Sequence, residues 1–136
     1  YFWRLFYLRV VLIMFERDLD LTQDFLADLE SRELIAPAGT ELKKVIELGL
    51  CSVTGVNNYL GGGYLPDGTS FIIVRYLYTV AIVANVDRAG YSYRWCYNNW
   101  LVMRIALVDW LANWETLPEP TGWTANKSAR PLERKS

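Results

Sequence analysis

The chain has 136 residues, a formal net charge of −1, 52% apolar and 21% charged residues, no histidine and two cysteines. That composition excludes a disordered chain and suits one domain large enough for a real core. A near-neutral balance argues against broad nucleic-acid binding, which needs a basic surface, and the cysteine count with no histidine argues against a structural zinc site.

Tyr1 to Phe15 is the most apolar stretch and contains neither Gly nor Pro. Leu5, Leu8, Leu12 and Phe15 share one helical stripe, and Trp3, Phe6, Val10 and Ile13 a second. A helix apolar nearly all round must be buried or meet a partner, so Trp3, Tyr7, Val10 and Val11 are the candidate interface, with a second copy of the chain the expected partner. Peripheral membrane contact is a second possibility. The stretch is shorter than the roughly 20 residues of a spanning helix, with Arg4 and Arg9 inside it, so no transmembrane segment is expected. Glu16-Arg17-Asp18 follows where a signal peptide would carry small residues.

Thr22 is placed to cap a second helix through about Glu33, with Phe25, Leu26 and Leu29 inward. Ala36-Pro37-Ala38-Gly39 breaks the chain, and Thr40 caps a third helix from Glu41 to about Leu48, closed by Gly49. Helix, short turn, helix is also the outline of a DNA-reading unit, but Lys43 and Lys44 are balanced by Glu41 and Glu47, so nucleic acid is not the expected partner. Gly61-Gly62-Gly63 and Pro66-Asp67-Gly68 read as loops or turns. A phosphate-cradling loop would open a helix and carry a nearby Lys, whereas Tyr64-Leu65-Pro66 follows the glycines here.

Phe71 to Ala84 reads as one long strand, bent or bulged near Arg75. Asp87-Arg88-Ala89-Gly90 is a turn, and Tyr91 to Tyr97 a second strand with aromatics at its odd positions. A three-residue loop at Arg88–Gly90 would set Asp87 opposite Tyr91, Val83 opposite Trp95 and Ala81 opposite Tyr97. Asn98 or Asn99 then caps a helix from about Trp100 to Trp114. Trp100, Met103, Leu107, Trp110, Leu111 and Trp114 form its buried face, which Leu101, Ile105 and Val108 widen. Pro118 and Pro120 stop it, and 117–136 reads as an extended arm beside a compact unit spanning 1–116, with Trp123 pinning the arm to the body. The fold class is α+β, an antiparallel hairpin or small sheet packed against several helices.

No catalytic set stands out. Serine or cysteine nucleophiles would lack a histidine base, and the carboxylate pairs Asp18/Asp20 and Asp24/Asp28 fit a solvated helix face. Cys51 and Cys96 read as small buried apolar residues. No catalytic, cofactor-binding or metal residue and no cofactor is nominated. With 15% aromatic residues and no such set, the expected function is a small non-enzymatic binding protein acting through an aromatic-rich surface. A small enzyme or nucleotide-handling protein using the Gly61–Asp67 loop, and a DNA-binding regulator, are the alternatives.

Arg75-Tyr76-Leu77-Tyr78-Thr79-Val80, Gly90-Tyr91, Arg94-Trp95-Cys96-Tyr97 and the ending Pro120-Thr121-Gly122-Trp123 resemble a group of small uncharacterised bacterial and prophage-encoded proteins. The resemblance covers about the last half of the chain and departs from the group at Trp100, Met103 and Trp110, where smaller residues are usual. It implies a phage or mobile-element origin and a cytoplasmic setting, and it carries over no activity or site residue.

Overall fold

A computed structural model describes the backbone of residues 2–50 and 58–128 and the side chains of residues 16–49 and 58–124. Among the described residues there are three helices, α1 (Phe2–Ser31), α2 (Thr40–Leu50) and α3 (Trp100–Ala112). The strands are β1 (Ala36–Pro37), β2 (Asn58–Tyr64), β3 (Ser70–Arg75), β4 (Val80–Ala84), β5 (Tyr93–Tyr97) and β6 (Ala125–Ser128). They form one antiparallel sheet in sequence order. The class is the α+β arrangement that the patterning predicts.

Alternation along the strands divides the core between the two faces of this sheet. Phe71, Ile73, Val80, Ile82, Tyr93, Trp95 and Tyr97 face α1 and α3, joined there by Phe25, Leu26, Leu29, Met103, Leu107 and Trp110. Ile72, Val74 and Val83 face the other way and meet Leu42, Val45 and Ile46 of α2. Helices α1 and α2 therefore lie on opposite faces of the sheet, with β1 between them in the chain, and do not form a helix-turn-helix unit.

Four local expectations are corrected. Thr22 is not a cap, because α1 runs unbroken past it; the side chain is buried and its Oγ1 accepts the Nε1–H of Trp100 at 2.8 Å. The helix ends at Ser31, and two residues later Glu33 takes a positive φ of 59°. There Leu34 N–H donates to Leu29 O and Glu33 N–H to Glu30 O, each at 3.0 Å, the pair of bonds that closes a helix in the left-handed conformation.

The second correction concerns the three glycines, which are strand rather than loop. Gly61, Gly62 and Gly63 pair with Ile73, Ile72 and Phe71, after a bulge that leaves Leu60 unpaired in the core. A Cβ on Gly61 would lie 2.8 Å from Leu26, and one on Gly63 would lie 2.5 Å from the carbonyl oxygen of Ala36. Glycine is what lets α1 and β1 approach this strand so closely. The expected turn over Pro66-Asp67-Gly68 is present, with Gly68 N–H bonded to Leu65 O at 2.9 Å.

The third correction is that 71–84 is two strands. Tyr76 N–H donates to Thr79 O at 2.9 Å, and Leu77-Tyr78 forms a tight turn between β3 and β4. The fourth is the next hairpin, whose register is shifted by one residue from expectation: Ile82 opposes Trp95, Val83 opposes Arg94 and Ala81 opposes Cys96. The cause is the turn. Asp87 bridges to Gly90 rather than Tyr91, leaving Arg88-Ala89 as a two-residue loop, and Asp87 Oδ1 accepts Ala89 N–H at 2.8 Å.

The segment read as an arm is extended as far as it is described, but it belongs to the sheet. Tyr97 Oη donates to Thr121 O at 3.1 Å, Thr124 N–H donates to Cys96 O at 2.8 Å, and β6 pairs with β5. Trp123 packs half-buried against the core, as expected of a pin. Cys96 is buried and unpaired; Cys51 and residues 129–136 lie outside the described residues.

Candidate interaction surface

Helix α3 begins where a short amide can serve its free N–H groups. Asn99 sits in extended backbone and its Oδ1 accepts Val102 N–H at 2.9 Å. Trp100, Met103, Ala106, Leu107, Trp110 and Leu111 then turn into the sheet. Trp110 meets Trp95 edge to face, with ring centroids 5.4 Å apart, and its Nε1–H donates to Leu117 O at 3.1 Å. Trp100 is held between Thr22 and Phe25, and the Arg104 guanidinium lies 5.0 Å from the Phe25 centroid and 5.7 Å from that of Trp100. This end of the helix is clamped to α1 by aromatic edges, a buried hydrogen bond and a cation over two rings.

The outer side of α3 breaks the usual rule for a helix on a sheet. Leu101 is 59% exposed, Ile105 62%, Val108 41% and Val102 39%. Helical spacing predicts Leu101, Ile105 and Val108 on a widened buried face, but all three face solvent. At about 100° per residue the stripe of Leu101, Ile105, Val108 and Ala112 is centred nearly opposite the buried set, too far round for one sheet to cover both. Its steps of four, three and four residues keep the side chains in one line. Arg104 and Asp109 border the line on its two sides.

Other concentrations of chemistry are weaker. The Asp87–Gly90 turn folds towards α2, and Arg88 Nη2 reaches Glu41 Oε2 at 2.8 Å with both side chains exposed. Open clefts of about 320 and 540 Å³ lie on this side, the first walled by Val45, Tyr59 and Tyr91 and the second by Leu42, Tyr64 and Ser70. An exposed ion pair holds such a cleft only weakly.

Beneath α1, Asp18 and Arg75 form an ion pair at 3.4 Å in which both side chains are nearly buried. Burial pushes the Asp18 carboxyl up, and Arg75 and Arg17 only partly pull it back. Burial likewise raises the Tyr76 hydroxyl, which lies beside Tyr91 and under the Arg94 guanidinium, 5.2 Å from its ring centroid. Burial, with Glu119 second, raises that of Tyr97. Neither phenol is ionised near neutral pH, so neither is poised as a base.

Trp3, Tyr7, Val10 and Val11 belong to the first half of α1, and their side chains lie outside the described residues. The Gly61–Asp67 stretch is a strand and a turn, and its glycines back directly onto Leu26, Ile72 and the Ala36 carbonyl. Among the described residues, no group of three potential ligands could hold a metal ion, and no helix is long and apolar enough to cross a membrane. What sequence reasoning missed is the division of α3 into two apolar faces; the four-three-four spacing of Leu101, Ile105, Val108 and Ala112 was the available signal. No known protein family, curated protein or solved structure matches the chain.

Proposed function

We propose that this protein is a non-enzymatic binding protein whose contact surface is the outer side of α3. The observation that carries the reading is the exposure of Leu101, Val102, Ile105 and Val108 on a helix whose opposite side is already anchored in the core. A soluble fold has no structural use for a second apolar stripe, and such patches mark sites where another surface docks. The aromatic residues of β5 and α3 go mainly into the core, so the contact offered is aliphatic at its centre with charge at its borders. A cytoplasmic setting in a phage-related element belongs to the same proposal and rests on the resemblance of the 75–123 region alone.

The test is affinity capture from the native host with the immobilised chain. Wild type and Lys44→Glu, a change on the outer side of α2, should retain the same partner. Ile105→Glu and Leu101→Ser should lose it with their thermal unfolding unchanged. Equal retention by all four proteins would contradict the reading.

A further inference from the structure

We infer that the outer stripe of α3 is a self-complementary seam, and that it pairs in parallel with α3 of a second copy of this chain. This deepens the binding reading above and rests on it.

Leu101, Ile105, Val108 and Ala112 are spaced four, three and four residues apart, which is the spacing of the core positions of a two-stranded coiled coil over nearly two heptads. Leu101 and Val108 take one core position, Ile105 and Ala112 the other. All four are exposed, and the side of the helix away from them is packed on the sheet. Two copies joined along this stripe would have their bodies pointing away from each other.

The bordering charges choose both partner and direction. Arg104 and Asp109 are five residues apart on opposite edges of the stripe. In a parallel pair, one edge of each helix meets the other edge of its partner. Arg104 of each copy then lies beside Asp109 of the other, giving two opposite-charge contacts by symmetry. In an antiparallel pair, like edges meet. Arg104 would then approach Arg104 or Leu111 of the second copy, and Asp109 would approach Asp109 or Val102, so both charges lose a partner. In the single copy the Arg104 guanidinium lies over the Phe25 and Trp100 rings, so its contact with Asp109 of the second copy is made by swinging outward from those rings.

The helix has 13 residues, so the seam is about 20 Å long. That is less than a standard interface of roughly 800 Å² per partner needs. The pairing should therefore be weak and concentration-dependent, with dissociation in the high-micromolar range.

Sedimentation equilibrium on the full chain, from tens of micromolar to about a millimolar, reads the association. Wild type should move reversibly from monomer to dimer. Ile105→Glu should weaken the dimer by about tenfold or more, as expected for loss of a central anchor. Arg104→Glu and Asp109→Arg should each weaken it, and an equimolar mixture of those two variants should recover it. Direction is read by mild oxidation of Val108→Cys, with the parent protein as control for its own cysteines. A parallel seam places the two introduced thiols face to face and gives a covalent dimer on a non-reducing gel.

A chain that stays monomeric throughout the range overturns the inference. So does a dimer indifferent to Ile105→Glu, or one in which Val108→Cys fails to cross-link while a mixture of Leu101→Cys and Ala112→Cys succeeds. A monomer that still captures a host protein through Leu101 and Ile105 would leave the binding reading standing and sink only the self-pairing.

Discussion

The two faces of the sheet solve the same packing problem differently. On one face, α2 lays Leu42, Val45 and Ile46 on Ile72, Val74 and Val83 and turns Glu41, Lys43, Lys44 and Glu47 to water. It is an amphipathic helix of the ordinary kind, with Leu48 its main apolar lapse outward. On the other face, α1 and α3 bury a larger, aromatic core that also encloses polar pairs, Thr22 with Trp100 and Asp18 with Arg75. There α3 has no polar side of its own beyond Arg104 and Asp109. The lesson is that burial of one stripe does not account for a helix that has two. The inner stripe of α3 packs into the core, and the outer one is exposed.

The largest expected effect separates the stripes by stability. Trp110→Ala, on the inner stripe, should cost about 3–5 kcal/mol in a denaturant titration, and Leu42→Ala on α2 about 2–4 kcal/mol. A Trp110→Ala loss under about 1 kcal/mol would dissolve the distinction between inner and outer faces.

The polar pair beneath α1 should be nearly as costly to break as an anchor, yet dispensable as a unit. Arg75→Met leaves a buried carboxylate unpaired and should cost about 3–5 kcal/mol at neutral pH, whereas Asp18→Leu with Arg75→Met should return stability to near wild type. The pH dependence follows from the raised Asp18 carboxyl. Between its ordinary and its raised value the native state holds a proton that the unfolded chain has lost. The Asp18 contribution to stability therefore improves as pH falls through the raised value and levels off below the ordinary carboxylate range. Asp18→Asn should remove that slope, and urea midpoints across mildly acidic pH would reveal it.

A smaller effect probes the joint between α1 and α3. Thr22→Val strands the buried Trp100 Nε1–H and should cost about 1–2 kcal/mol, while Thr22→Ser keeps the acceptor and should cost less. Smallest of all for stability, Ile105→Glu should stay within about 0.5 kcal/mol of wild type, because its side chain already faces water. Its effect should fall on association instead.

Much of this architecture was legible in the sequence. The Asn99 cap, the start of α3 and its inner stripe follow from amide chemistry and helical spacing. What was hidden has physical reasons. Arg75-Tyr76-Leu77-Tyr78-Thr79 reverses the chain without Gly, Pro, Asn or Asp, so two strands looked like one. Three consecutive glycines are poor strand formers, and only the close approach of Leu26 and the Ala36 carbonyl explains them. The hairpin slipped by one residue because the Asp87 side chain ties down a shorter loop than its sequence suggests. Thr22 looked like a helix start because nothing local reveals that its hydroxyl will meet an indole 78 positions later in the chain. The candidate surface was hardest to see. Leu101, Ile105 and Val108 are as apolar as the residues behind them, and only packing decides which stripe the sheet receives.

The most direct test is methyl nuclear magnetic resonance on the labelled chain across a concentration series and with captured partner added. Shifts should concentrate on Leu101, Val102, Ile105 and Val108, with the methyls of Leu42, Val45 and Ile46 unmoved. Changes confined to α2 or to the first half of α1, with the α3 methyls constant throughout, would contradict it.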